Sequence, residues 1–415
     1  MDNRLTFIGE FVRRGCCRLR TQQRVFFGMP NAPTVFSQII APLFQTEFAR
    51  CVERHPMPRS SRSFSAYDHF LVLCFGQLTY RESLRDIITC LSTRQSLQFH
   101  LGFRGRLTRT NFAYANEHRD WRVFAAVAEV LMRKATRLYA ESEPGAKESE
   151  RIFALDASII DLSLKLFPWA YFARTYRSAV KLHALLSLRG AFPAWAAVTE
   201  VNFAEMKMLE QIPLQAGAFY VLDRAYLDFT RLLRLDKTGA FFVVRNKRHV
   251  RFRVLVSRTC PKGSGLGCDQ TIQLTTKRSR SVYSQALRRI TFRDQERKRR
   301  FVFLTNNFAL GPEVICQLYK QRWAVELFFK WIKQHLRIRN FYGRSENAVR
   351  CQVWTAICAY LLVAIARKEL KLQQSLYQTF QIISVSAFEQ VPLAELFARP
   401  NTATSIDPQQ TFSLS

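Results

Sequence analysis

The sequence predicts an α/β protein in which a mixed sheet with flanking helices follows a helical N-terminal unit. Three observations carry that prediction. From about Thr34 to Lys134, apolar residues recur at mixed three- and four-residue steps, the period of helices. From Arg151 onward, short apolar runs of strand character alternate with helical stretches. Between them lies "ESEPGAKESE", Glu141 to Glu150, a polar stretch holding Pro144–Gly145 and the best domain boundary in the chain. With 415 residues, 48% of them hydrophobic and 13% aromatic, the chain can bury a sizeable core in two or more structural units.

The elements follow in order. Residues 1–28 fit no periodic template and carry several arginines. A second start is available at Met29, so 1–28 is expected to be a loose extension. Residues 29–140 are expected to form a helical, DNA-binding N-terminal domain, with a plain packing domain as the alternative. Within it, "AYDHFLVLCFGQL" and "YRESLRDIITCLS" read as helices, and Ser83 with Asp86 forms a weak capping fragment. "LGFRGRLTRTNFAYANEHRDW" reads as a basic loop, and "RVFAAVAEVLMRKATRLYA" resumes the helix.

After the boundary, "RIFALD" (Arg151–Asp156) reads as a short strand ending in an acid. "VKLHALLSL" and "AFPAWAAVTE", joined by the turn "RG", read as a hairpin. "FAEMKMLEQI" reads as helical, and "AFYVLD" (Ala218–Asp223) as a second strand ending in an acid. "RAYLDFTRLLRLDKTG" is expected to be a helix closed by Gly239, and "AFFVVR" another strand. Residues 246–299 read as a β-rich insertion, which splits the α/β core into 150–245 and 300–370. "RFVFLTN" returns to strand, and a helix begins after Pro312. Residues 371–415 are expected to be a helical segment and a polar tail from about Asn401.

Charge and composition narrow the function. The 62 Lys+Arg exceed the 32 Asp+Glu by 30, and the pI is about 10.3. That excess points to a polyanionic partner, nucleic acid first and an anionic membrane second. The longest near-apolar run, "VWTAICAYLLVAIA" (Val353–Ala366), falls short of the roughly 20 residues a spanning helix needs, so it reads as a buried helix. The N-terminus lacks an apolar h-region, which gives a cytoplasmic expectation with no membrane partner. Ten cysteines contain no CxxC, and seven histidines are dispersed, which argues against zinc and for free thiols.

Three acids stand out. Asp156 and Asp223 end apolar runs, where ligand sites of strand-based sheets gather. Glu326 lies in "LYKQRWAVELFFKWIKQ", a run rich in aromatic residues with cations on both sides. An unpaired carboxylate in such surroundings is costly, so it must be paired, neutralised or bound to metal. Two aspartates and a covering glutamate form an all-oxygen set, which suits Mg²⁺, or Mn²⁺, better than zinc. At about 100° per residue on one helix, Tyr319, Arg322, Glu326 and Lys333 share an arc of roughly 60°. Arg322 and Lys333 could then neutralise phosphate oxygens, with Tyr319 donating a hydrogen bond. Further DNA contacts are expected from Lys330, Arg224 and Lys181. In the insertion, Lys277, Arg278, Arg280, Arg288, Arg289, Lys298, Arg299 and Arg300 are candidates too. Each signal has a bland counterpart: a strand-terminal Asp is often a turn former, and Glu326 could pair with Arg322 or Lys330 at i±4. Asp161, Asp228 and Glu200 are the neighbouring decoys.

At these residues the chain resembles a DDE transposase of the insertion-sequence-four (IS-4-type) family. The signature is Tyr, Arg three on, Glu four further and Lys seven further. It is present as Tyr319, Arg322, Glu326 and Lys333 in "YKQRWAVELFFKWIK". "FALDASIIDLSLKLFPWA" and "AFYVLDRAYLDF" resemble the two aspartate blocks, and the likeness runs from about Thr34 to Leu370. The resemblance implies an RNase H-like core with a β insertion before the catalytic Glu. It implies cleavage at transposon inverted-repeat ends and strand transfer into target DNA by a homodimer on double-stranded DNA. It further implies two Mg²⁺ ions held by Asp156, Asp223 and Glu326, with Tyr319, Arg322 and Lys333 on DNA phosphates.

The chain departs from the family in "TEVNFAEMKML", which has no Gly or His. Some relatives also stack a flipped base on an insertion-domain Trp. No Trp lies between Trp195 and Trp323 here, and Tyr283 or Phe292 are the substitutes on offer. Two other functions fit the same residues: a structure-selective nuclease on the same core, and a catalytically decayed DNA-binding relative.

Overall fold

The computed structural model describes residues 33–55, 64–105, 107–141, 151–172, 176–261, 263–294, 298–335 and 341–398. The expected extension at 1–28, nearly all of the polar boundary at 141–150 and the tail from Asn401 lie outside them.

The N-terminal part is helical: α1 (Val35–Ile40), α2 (Gln45–Arg54), α3 (Ala66–Leu78), α4 (Leu84–Ser92), α5 (Gln95–Gln98), α6 (Arg109–His118) and α7 (Arg122–Glu141). Short polar residues, Thr34, Ser65, Ser83 and Thr108, start α1, α3, α4 and α6. Ser65 and Asp68 form a capping box on α3, and Ser83 and Asp86 form one on α4. Thr108 caps α6 by accepting from the Asn111 amide, which makes a helix of a stretch that the sequence presents as loop.

Next come β1 (Ile152–Leu162), β2 (Tyr171–Phe172), β3 (Arg177–Ser187), β4 (Phe192–Glu200) and β5 (Phe219–Leu222). The "FAEMKMLEQI" stretch forms a 3₁₀ turn at Glu205–Glu210. Helix α8 (Phe229–Lys237) is capped by Asp228 through the Arg231 amide and closed by Gly239 at φ +74°. Strand β6 (Phe241–Arg245) follows, then β7 (Phe252–Arg258), β8 (Leu266–Leu274), α9 (Lys277–Val282), β9 (Leu287–Asp294) and β10 (Arg299–Thr305). The chain ends in α10 (Pro312–Gln321), α11 (Trp323–His335), α12 (Glu346–Glu369), α13 (Leu376–Ser386) and α14 (Leu393–Ala398).

All ten strands join one sheet, in the order β2-β3-β1-β5-β6-β10-β9-β8-β7, with β4 also on β3. Strand β3 is antiparallel to both β1 and β4, and β1, β5 and β6 run parallel. That five-strand order and direction is the RNase H-like arrangement. The inserted strands β7 to β9 continue the sheet through β10, which pairs antiparallel with β6.

Three apolar clusters surround the sheet. The largest joins α1–α4, α6 and α7 to α11–α14 and to one face of β1, β3 and β4, so the N-terminal helices share a core with the C-terminal ones. A second lies under α8 on the opposite face, and a third between α10 and β5, β6, β9 and β10.

Helix α12 explains the apolar run near residue 353. It spans 24 residues with mean hydropathy 1.7 over its apolar window, long and apolar enough to cross a membrane. Its length therefore does not exclude a spanning role, contrary to the sequence reading. What identifies it as a core helix is that 94% of that window is buried inside the protein. The eight described cysteines are free thiols, five of them buried.

Candidate active site

The sheet aligns the first two acids. In the parallel β1–β5 pair the register runs Ile152↔Phe219 to Leu155↔Leu222, so the next step sets Asp156 beside Asp223. Asp223 leaves β5 directly into a 3₁₀ turn at Arg224–Tyr226. Asp156, by contrast, does not end its strand: β1 continues to Leu162 because β3 supplies partners as far as Ser178. Only the pairing with β5 stops there, which frees one flank of Asp156 for a ligand.

The third acid comes from the helices above. The sequence reading placed Tyr319, Arg322, Glu326 and Lys333 on one helix; in the structure the helix breaks at Arg322. Tyr319 belongs to α10, Arg322 is its C-cap, and Glu326 and Lys333 sit on α11. Bonds of the i→i+3 type, from the Arg322 amide to Tyr319 O and from the Val325 amide to Arg322 O, tighten the junction.

From that junction Arg322 donates through Nη1 to Asp156 Oδ2 at 2.9 Å and through Nη2 to Glu326 Oε1. Tyr319 donates its hydroxyl to Asp223 Oδ1 at 3.2 Å. The three acids and two of their expected companions therefore converge. Burial raises the Asp156 carboxyl to about 6; Arg322 and the Ala157 amide oppose the rise, and Glu326 and Asp223 add to it. Burial raises the Tyr319 phenol to about 12. Burial works against the Arg322 cation, yet Tyr319, Asp156 and Glu326 outweigh it and hold Arg322 above its ordinary range.

Two cavities meet at Glu326. A groove of about 340 Å³ is lined by Asp156, Ala157, Ser158, Glu326, Phe329, Lys330, Lys333 and Gln334. On the other side, a cleft of about 250 Å³ is lined by Arg322 and Glu326 together with Arg245, Arg299, Lys320, Phe292, Phe301 and Trp323. Lys330 and Lys333 thus line the same groove as Asp156 and Glu326. The sequence reading missed Arg245 and Lys320. Arg245 closes the strand next to that of Asp223, and Lys320 sits inside the Tyr–Arg–Glu–Lys signature, so both signals were there to be read.

Other expectations are corrected. Lys181 is buried, with its ammonium on Phe203 O at 3.1 Å and near Glu205 at 3.6 Å, so it is used inside the fold. Arg224 is exposed just after Asp223 and has no place among the groove-lining residues described here. Arg288 is a buried partner of Asp269 and cannot reach DNA. Arg289 is half-buried against Cys268 and Gln270. Lys277, Arg278, Arg280, Lys298, Arg299 and Arg300 are exposed. Tyr283 is fully buried and donates to Asp236, so it cannot stack on a base, whereas Phe292 does line the second cleft. Within the aromatic-rich run around Glu326, Trp323 and Leu327 are exposed, and Val325, Phe328, Phe329 and Ile332 hold α11 in the core. Among the decoys, Asp228 caps α8, and Asp161 and Glu200 are exposed.

The donor set fits a divalent cation. Its side chains offer only carboxylate oxygens, which hard ions prefer. One guanidinium, bonded to Asp156 and Glu326, stands against those two carboxylates and Asp223 beside them, so when all are ionised two negative charges remain for a cation to balance. Among the described residues no three such groups already close around a metal position, because Asp156 and Glu326 are held on Arg322 instead.

Comparison with known proteins places the chain. A match to the family described as "Transposase DDE domain" covers residues 147–362, just over half of the 415. Residues 31–104 match a domain family of unknown function, DUF4372. The chain is 30% identical over 292 residues to y4zB of Sinorhizobium fredii, named as a transposase, covering 69% of this chain and 80% of that one. It is 32% identical over 228 residues to a Geobacillus stearothermophilus protein named as a transposase for insertion sequence element IS5377, covering 54% and 59% of the two chains. A Synechocystis protein named as a transposase for IS4SA is 25% identical over 66% of this chain and 76% of its own length. Among solved structures, a piggyBac transposase synaptic complex with hairpin DNA is similar over 91% of this chain and 87% of that one. Its TM-score of 0.42 and 10% identity are too low to bear on the reaction. DDE transposases act on DNA with divalent metal ions, and this chain belongs to the DDE transposase family.

Proposed function

We propose that this transposase cuts the ends of its own insertion sequence and joins them to target DNA, with Asp156, Asp223 and Glu326 holding two Mg²⁺ ions. The observation that supports the reading is that Asp156 of β1 and Glu326 of α11 meet on one guanidinium, with Asp223 at the end of β5 set beside Asp156 by the sheet register and held by Tyr319. Bound there, the ions would activate the attacking oxygen and stabilise the leaving one.

The protein's own residues set the geometry. Asp156 and Asp223 ride on adjacent parallel strands, so their separation is fixed by the sheet. Glu326 closes the site from α11, whose buried Val325, Phe328 and Ile332 hold it against the core. Lys330 and Lys333 on one side, and Arg245, Arg299 and Lys320 on the other, line a path for phosphates past Glu326. Tyr319 orients Asp223. The exposed cations of the insertion extend the basic surface, and contacts of this kind make binding fall steeply with salt. We place the reaction in the cytoplasm, on paired transposon ends held by a homodimer.

Glu326→Gln tests the reading. Cleavage of end-bearing DNA in Mg²⁺ is expected to fall by roughly a thousandfold or more, since metal stabilisation supplies several kcal/mol. Binding of the same DNA should stay within about threefold, because phosphate contacts dominate affinity. Cleavage at the wild-type rate would remove Glu326 from the mechanism. Joined donor–target products from the wild type separate a transposase from a plain nuclease.

A further inference from the structure

Arg322 lines one of the two cavities that meet at Glu326 and is bonded to Asp156 and Glu326, which line the other. Its guanidinium bridges Asp156 and Glu326 on one side, and it lines the cleft with Arg245, Arg299 and Lys320 on the other. We infer that Arg322 competes with divalent metal for the acids, and that a DNA phosphate in the cleft draws it away so that metal loads on the DNA-bound protein. The inference rests on the reading of Asp156, Asp223 and Glu326 as the metal ligands.

Four observations carry it. First, the bridge ties Asp156 Oδ2 and Glu326 Oε1 to a fixed cation, so a metal using those oxygens must break at least one of the bonds. Second, Arg322 is 13% exposed and its Nε has no hydrogen-bond partner, so the bridge leaves part of a desolvated guanidinium unsatisfied. A pose of that kind gives way when a better acceptor arrives. Third, Arg322 sits at the break between α10 and α11, where the bonding is already of the i→i+3 type, so it can turn without unwinding a continuous helix. Fourth, the cleft it borders carries three other cations, Arg245, Arg299 and Lys320, against one carboxylate besides Glu326, Asp294, and aromatic walls, a setting in which a phosphate would offer Arg322 a bidentate acceptor.

Linkage gives the consequence. If DNA and metal both act against the same bridge, DNA must raise metal affinity by the factor through which metal raises DNA affinity. Removing the guanidinium should produce the same rise without DNA.

The test is calorimetric titration of Mn²⁺ into the full-length wild type, Arg322→Gln and Arg322→Lys. Each is measured alone and with a duplex oligonucleotide taken from the DNA flanking its gene. Arg322→Gln alone is expected to bind Mn²⁺ about tenfold more tightly than the wild type, a typical size for such coupling. Arg322→Lys should fall between them, because a single ammonium cannot span both acids. DNA should tighten Mn²⁺ binding by the wild type by a similar factor and leave Arg322→Gln nearly unchanged. If Arg322→Gln does not fold, Arg322→Lys keeps the charge and carries the test. Equal or weaker binding by the variants without DNA would overturn the inference while leaving the metal site in place. No Mn²⁺ binding to any form, with or without DNA, would overturn the metal-site reading and this inference together.

Discussion

Two guanidinium–carboxylate clusters in this protein use the same chemistry to opposite ends. In the insertion, Arg288 and Asp269 are 4% and 5% exposed and pair in a two-point geometry, with both bonds at 2.8 Å. The remaining Arg288 nitrogen donates to the Leu310 carbonyl at 2.5 Å. Asp269 also has the exposed Arg258 at 3.5 Å, so no anion is left in excess; the Arg288 donors are used, and the pair ties β8 and β9 to the loop before α10. At the candidate active site Arg322 meets two carboxylates with a third nearby, keeps an unused Nε, and borders an open cleft, while its two carboxylate partners border a second cavity. A buried ion pair is thus not itself a sign of function. Imbalance of charge and unfilled valences beside an opening are better signs.

The largest stability difference should come from breaking each pair. Arg288→Ala leaves Asp269 buried without its main partner and is expected to cost about 3–5 kcal/mol in urea unfolding. Replacing both partners, Asp269→Leu with Arg288→Met, should return stability to within about 1 kcal/mol of the wild type. Arg322→Gln should cost much less than Arg288→Ala, because water and cations can reach the acids it leaves. A larger loss at 322 than at 288 would break the contrast.

Buried groups that stay neutral sharpen it from another side. His69 and His183 are fully buried, and burial holds them at about 3 and about 4; Arg119 and Lys181 respectively push the same way. Their folded values lie below the unfolded value of about 6.5, so their stability is present above that pH and is lost as pH falls toward the folded values. At pH 5 each should cost about 2 kcal/mol relative to pH 7. A urea midpoint that does not change between the two pH values would contradict that assignment. The smallest effect belongs to Asp228, an acid that holds only a helix end. Asp228→Ala should lower stability by about 1 kcal/mol through loss of the α8 cap, with DNA cleavage unchanged.

The sequence made the chemistry more legible than the geometry. Asp156, Asp223 and Glu326 were visible because apolar runs bracket each of them, and the hairpin around Gly190 and the helix start at Pro312 were visible through local turn and cap chemistry. The length of β1 beyond Asp156 was not, because its partner β3 lies in a later stretch and strand ends are set by pairing. Helix α6 was hidden because its apolar stripe is thin, and its buried Phe112 and Ala115 make sense only against the neighbouring helices. The break at Arg322 leaves no mark in helical periodicity, since the residue keeps helical dihedrals. Nor could composition separate Arg288 and Lys181, which are buried, from Arg299 and Lys330, which are exposed; only the folded sheet sorts cations by depth.

Counting bound Mn²⁺ by electron paramagnetic resonance in the DNA complex tests the central claim most directly. Two ions per wild-type chain are expected, with at least one lost in each of Asp156→Asn, Asp223→Asn and Glu326→Gln and both kept in Asp161→Asn. Retention of both ions by any of those three variants would contradict the claim that the three carboxylates form one metal site.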